Sequence, residues 1–193
     1  MTEVTADILW SVARHFLHKE SLLNSQTRNM HAIAPHLNHW FTVYNINTDL
    51  RIAHFLAQAC VESNNFGQMT EVPAHGGVEY DAGTRIGKTL GNTEKGDGPK
   101  FIGRGLFDLT GRYNYQQFSD AFDKDYVEHP EAVSNNPYVA VKAACYFWDI
   151  KKLNTYADDD DIDKITHVIN GGVNGLADRK AALRRAKHAL EIK

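Results

Sequence analysis

LRIAHFLAQACVESNNF, residues 50–66, decides the architecture. Its apolar positions, among them Leu50, Ala53, Leu56, Ala57, Cys60 and Val61, cover most of a helix circumference, and a helix apolar nearly all round is a central, buried one. Asp49 is placed to cap its start. Glu62 closes the apolar run. A carboxylate at the C-terminal end of a helix opposes the helix dipole, and partial burial disfavours its charge. Both effects favour the protonated form that a general acid needs. The alternative is a surface glutamate just beyond the core.

Working outward, the next informative stretch is GDGPKFIGRGLFDLTGRYNY, residues 96–115, which holds five glycines. Glycine costs conformational entropy, so such a cluster implies positive φ or close backbone approach. Phe101, Phe107, Tyr113 and Tyr115 alternate with Arg104, Asp108, Thr110 and Asn114. Aromatic faces beside short hydrogen-bonding groups suit the wall of a sugar cleft. The alternative is a turn whose aromatics fill the core. A short strand or hairpin is expected over 101–109. Between the two stretches, 67–98 is punctuated by Pro73 and many glycines and reads as a long loop. It carries Glu71, Glu79, Asp81, Glu94 and Asp97, any of which could face Glu62.

Composition bounds the classes. The chain has 193 residues, 42 % hydrophobic and 23 % charged, with a net charge of −3. That is a globular composition with one substantial core and room for two lobes, and it argues against a protein held to nucleic acid by bulk charge. No run reaches the length of a membrane span, and the acidic start MTEVTADILWSVARHF is not a secretory signal. Cys60 and Cys145 lie in apolar helical patterns and read as buried thiols.

The rest reads as helices. Val4, Ile8, Leu9, Val12, Phe16 and Leu17 mark an amphipathic helix over the first twenty residues. The polar run 24–30 reads as a loop, and Pro35 as the start of the next helix, with Leu37, Trp40, Phe41 and Tyr44 on its apolar stripe. Residues 112–122, a helix from Asn136-Pro137 with Val141, Ala144, Cys145 and Trp148 buried, a helix capped by the acidic run 158–161 and stopped at Asn170-Gly171-Gly172, and a basic-faced last helix over 176–190 follow. No repeat or linker interrupts them. The chain is expected to form a single catalytic domain, 1–48 a helical cap and 49–193 the core, mainly α-helical of the α+β class.

Other chemistries fail on spacing. His15/His18 and His36/His39 lack the glutamate of an HExxH site. Asp159, Asp161 and Asp163 begin like a calcium loop, but Lys164 and Asn170 stand at the positions that need glycine and glutamate. Phosphate loops, dinucleotide fingerprints and nucleophile elbows are missing. A pair of carboxylates beside an aromatic, amide-bearing wall remains, the kit for glycoside hydrolysis.

AHFLAQACVES at 53–63, YDAG at 80–83, LGNTEKGDGPKFIGRGLFDLTGRYNY at 90–115 and INGGVNGLADR at 169–179 together resemble the family 19 lysozyme-like endolysins of phages infecting Gram-negative bacteria. The resemblance extends more distantly to plant family 19 chitinases. It implies a lysozyme-like, two-lobed fold with a central buried helix and a small loop and β-hairpin region lining a cleft. It also implies inverting hydrolysis of β-1,4 links beside N-acetylated sugars, with no cofactor and no metal. By resemblance Glu62 is the general acid and Asp81, or Glu79 in its place, the general base. Thr110 helps hold the water, Asp108, Tyr113, Asn114 and Asn170 bind the sugar chain, and Arg179 tunes the acids. Val61 stands where many relatives have histidine, and Asp108 where they have glutamine.

The expected function is therefore that of a peptidoglycan-degrading endolysin of the muramidase type. It would act as a monomer, made in the host cytoplasm, without a separate wall-binding domain, reaching the periplasmic wall after holin-mediated release. A chitinase and a non-catalytic glycan-binding wall protein are the alternatives.

Overall fold

A computed structural model describes residues 2–192. Helices α1 (Ala6–Val12), α2 (Glu20–Val43) and α3 (Asp49–Glu62) come first. A 3₁₀ turn (Val78–Tyr80) and the short α4 (Arg85–Thr89) and α5 (Asp97–Lys100) occupy the long loop. Then follow α6 (Arg112–Phe122), α7 (Ala132–Asn135), α8 (Pro137–Ile150), α9 (Leu153–Asp158), α10 (Ile162–Asn170) and α11 (Leu176–Ala189).

Helix α3 is the buried axis. Every residue from Ile52 to Cys60 is buried, including the polar His54 and Gln58. Ile52, Phe55 and Leu56 are each 0 % exposed, and burial of such side chains stabilises by about 1.5–3 kcal/mol apiece. Thr48, not Asp49, caps this helix: its hydroxyl accepts from the Arg51 amide, and Asp49 falls in the first turn, where its charge still suits the dipole. Phe41, Phe55, Leu106, Trp148, Ile165 and Leu183 belong to the large core around α3. A second core gathers Phe101, Tyr115, Phe118, Tyr126, Val133 and Val139. Helix α8 serves both, giving Val141, Ala144 and Trp148 to the first and Val139 and Ala143 to the second. Two cores sharing one helix make two lobes.

Four further expectations fail here. The first twenty residues form only a short helix, because Ala13 is extended and the chain turns before α2. The stretch 24–30 is helix, not loop, and Pro35 lies inside α2 rather than at its start. Its polar residues have work to do. Gln26, fully buried, donates to the Arg14 and Asn65 carbonyls at 2.7 and 2.8 Å, and Asn29 donates to Phe66 O at 2.8 Å. The carbonyl that Pro35 leaves unbonded belongs to exposed His31, where water can satisfy it. The hairpin expected over 101–109 reduces to two isolated antiparallel bridges, Thr70 with Arg104 and Arg104 with Leu109.

Candidate active site

The end of α3 sets Glu62. Ser63 returns its hydroxyl to Ala59 O at 2.6 Å and accepts from the Phe66 amide. Asn64, Asn65 and Phe66 then run through left-handed backbone, with φ of 49°, 59° and 62°. Asparagine tolerates that region; phenylalanine does not, and the fully buried Phe66 ring offsets the strain. Gln26 and Asn29 of α2 clamp the carbonyls of this same turn, so the polar face of α2 fixes where α3 stops.

Glu62 is not alone in apolar surroundings. Arg179 of α11, 2 % exposed, brings a guanidinium nitrogen to 2.6 Å from its carboxylate. The approach lacks hydrogen-bond alignment, since that buried oxygen has no well-formed donor among the described residues. Arg179 also donates to Gln58 Oε1 at 2.5 Å and to Asn174 O at 3.2 Å, while Gln58 donates to Thr166 of α10 at 3.1 Å. Gln58 lies one turn before Glu62 and is the buried link among α3, α10 and α11. Replacing Arg179 by Leu strands Glu62 and Gln58. Loss of one partner of a buried pair costs about 3–5 kcal/mol, so urea unfolding should show a loss of that order, partly restored by adding Glu62→Gln. An unchanged midpoint would contradict the network.

After the strained turn the chain runs beside 103–105. Gly105 N donates to Met69 O at 2.9 Å and Glu71 N to Gly103 O at 2.8 Å. This bridge presents Glu71, whose two oxygens accept from Tyr80 OH at 2.6 Å and Gly103 N at 3.0 Å. Burial and then the Glu71 carboxylate keep the Tyr80 phenol protonated far above its ordinary range. The next bridge presents Asp108. Its half-buried carboxyl is pushed up to about 7, first by burial and then by the charges of Glu62 and Glu71. Glu62, Glu71 and Asp108 thus form one acidic cluster.

Asp81 is placed elsewhere. Its Oδ1 accepts from the Gly96 and Gly98 amides at 2.8 and 3.1 Å, and these bonds, Gly98's foremost, hold the carboxylate below its usual range. A Cβ on Gly98 would sit 2.2 Å from Gly77 O and 2.6 Å from Asp81 N, so only glycine allows this packing. Asp81 organises the loop through these two bonds. Glu79 likewise bonds within its own loop, accepting from the His75 amide at 3.0 Å.

A groove of about 420 Å³ opens beside Asp108, Thr110, Tyr113 and Asn114, with Phe147 and Ile169 on its far side. The aromatics of 96–115 divide: Phe101 and Tyr115 are core, Phe107 lines the groove, and Tyr113 is 59 % exposed on it. Thr110 donates to Asp108 O at 2.6 Å and Asn114 to Thr110 O at 2.8 Å, so both brace the loop. Asn170 is exposed at the end of α10, one residue beyond the groove wall. Gln58 was invisible as a site residue in the sequence, being one of many small or apolar-flanked positions on α3. Glu71 stood among five loop acids, and the only local hint was Pro73, which biases Val72 and its neighbours toward extended backbone.

Two helical cores joined along α8, with acids gathered where the buried axis ends, is the build of a lysozyme-like glycoside hydrolase. The family follows from comparison: the model of glycoside hydrolase family 19, chitinase class I, matches residues 40–185, and the chain belongs to that family. A Haemophilus influenzae glycosyl hydrolase family 19 domain-containing protein is 38 % identical over 96 residues, half of this chain and 45 % of the relative. Rice chitinase 11 is 46 % identical over 50 residues, 26 % of this chain and 20 % of the relative. The chain thus spans less than half the length of these relatives. In fold it is similar to a bacterial family 19 chitinase, with a TM-score of 0.68 at 20 % identity, covering 82 % of this chain and 86 % of that one. Chitinase C from Streptomyces griseus gives the same TM-score at 19 % identity, covering 93 % and 78 %.

Proposed function

We propose that the chain hydrolyses the β-1,4-linked glycan strand of peptidoglycan by inversion, with Glu62 as general acid and Glu71 as general base. The observation that carries this is that Glu71 and the groove-wall residue Asp108 flank one glycine, Gly103, while the charge of Glu62 also reaches Asp108. Inversion needs two carboxyl groups about 6.5–9.5 Å apart, one protonating the leaving oxygen and the other activating a water on the opposite face of the sugar. Glu71 is suited to the second task, because Tyr80 and the Gly103 amide fix its orientation. Arg179, paired with Glu62 at rest, also stabilises the carboxylate left after each proton transfer from Glu62. Tyr113, exposed on the groove rim, offers a ring for a sugar to stack on.

The biological setting we infer is lysis of a phage host, the enzyme acting as a monomer on the wall after its release from the cytoplasm. It rests on the resemblance of the GRGLFDLTGRYNY and INGGVNGLADR stretches to phage endolysins. Clearing of outer-membrane-permeabilised Gram-negative cells, with mass spectrometry of digested sacculi, tests it: new reducing ends on sacculi support it, and none overturn it. Chitin is the second reading, favoured by the chitinase description of the matching family model and by the chitinase names of plant relatives. Release of sugars from colloidal chitin but not from sacculi would establish it.

A further inference from the structure

We propose that Asp108 works as a neutral carboxylic acid, donating a hydrogen bond to the acetamido carbonyl of a bound N-acetylated sugar, and that glycan binding therefore weakens in alkaline solution. This rests on the reading of the groove as a glycan site.

The geometry begins with the backbone. Asp108 has φ +47° and sits directly before Leu109, which pairs with Arg104, so the turn aims its side chain at the groove. The carboxyl lies over Gly103: a Cβ added there would meet Asp108 Cβ at 3.0 Å and Oδ1 at 3.1 Å. The amide of the same Gly103 holds Glu71 at 3.0 Å, so Glu71 and Asp108 flank one glycine.

The titratable groups facing Asp108 are Glu62 from α3, Glu71 from the bridge, Tyr80 from the 3₁₀ turn and Tyr115 from α6. None is a cation. Two arginines of the surrounding elements, Arg104 and Arg179, are engaged with other groups. Arg104 donates to the Lys100 and Ile102 carbonyls and to Tyr115 OH, at 2.9, 3.3 and 3.1 Å. Arg179 is taken up by Glu62, Gln58 and Asn174. Burial first, and then the charges of Glu62 and Glu71, push this carboxyl up to about 7.

Asp108 shares the groove with the donors of Tyr113, Gln117, Tyr146 and Lys151, while its two loop neighbours are already engaged. The Thr110 hydroxyl and the Asn114 amide each give a hydrogen to the loop backbone. A carboxylate only accepts, so an ionised Asp108 could not satisfy a sugar carbonyl, whereas a carboxylic acid can. The same proton couples folding to pH. A carboxyl whose folded value is raised gives stability that is complete below about 4 and lost as pH rises through about 7. Asp108→Asn should flatten that decline, and asparagine accepts the left-handed backbone.

The probe is the β-1,4-linked pentamer of N-acetylglucosamine, titrated calorimetrically between about pH 5 and 9. Its affinity should fall about tenfold above pH 7 for the native protein and less than about twofold for Asp108→Asn, whose amide donates at every pH. Carbon-13 NMR, with Asp108→Asn for assignment, should place the Asp108 carboxyl midpoint at about 6–8. The same pH dependence in both proteins, a midpoint in the ordinary carboxylate range, or no pentamer binding at any pH overturns the proposal. Neither readout needs turnover, so a protein that binds as described but fails to hydrolyse would sink the enzymatic reading alone.

Discussion

Glu62→Gln should lower glycan hydrolysis by about 10²–10⁴-fold, the range that a positioned proton donor contributes. Glutamine keeps the volume and the Oε1 that faces Arg179, so the helix end should stay folded; what it lacks is the transferable proton. The test is reducing-end release from sacculi and from colloidal chitin, with circular dichroism to confirm the fold. The loss should appear in kcat with little change in KM, because the acid acts in the transition state rather than in binding. A variant that clears permeabilised cells as fast as the native protein would remove Glu62 from the chemistry. The non-catalytic wall-protein reading predicts unchanged sacculus binding and no release by either protein.

Glu71→Gln should be as damaging, by about 10²–10⁴-fold, because an amide cannot take a proton from the attacking water. The informative control is Asp81→Asn. Asparagine retains the side-chain oxygen that accepts from Gly96 and Gly98, so the loop keeps its two bonds and activity should stay within a few-fold of native. If instead Asp81→Asn abolished turnover and Glu71→Gln did not, the base would be Asp81, and the resemblance would have been the better guide than the cluster around Asp108. The two variants therefore separate a residue that performs chemistry from one that shapes the loop around it.

The buried axis was legible because burial on every face writes itself into composition: Ile52 to Cys60 have no exposed member, and the sequence shows it directly. The caps at Asn136 and Asp161 and the stop at Gly171 were legible for a similar reason, each being a local rule obeyed locally. What could not be read were polar residues with distant partners. Gln26 and Asn29 look like loop residues until the turn at 64–66 arrives to receive their hydrogens. Asp81 and Glu71 are both loop acids, and only the folded chain shows one gripped by two glycine amides and the other set beside Asp108. The hairpin failed because Gly103 and Gly105 favour close approach to the 69–71 segment over a regular ladder of their own.

The paired-carboxyl account is tested most directly by the anomeric form of the newly made reducing end, read by proton NMR in the first minutes of hydrolysis. Attack by a water held on Glu71, opposite the oxygen protonated by Glu62, turns each β link into an α-anomeric product before mutarotation. An initial α signal is the result predicted here. An initial β signal would mean a covalent sugar intermediate and a retaining site, and would contradict the assignment of Glu71 as the base.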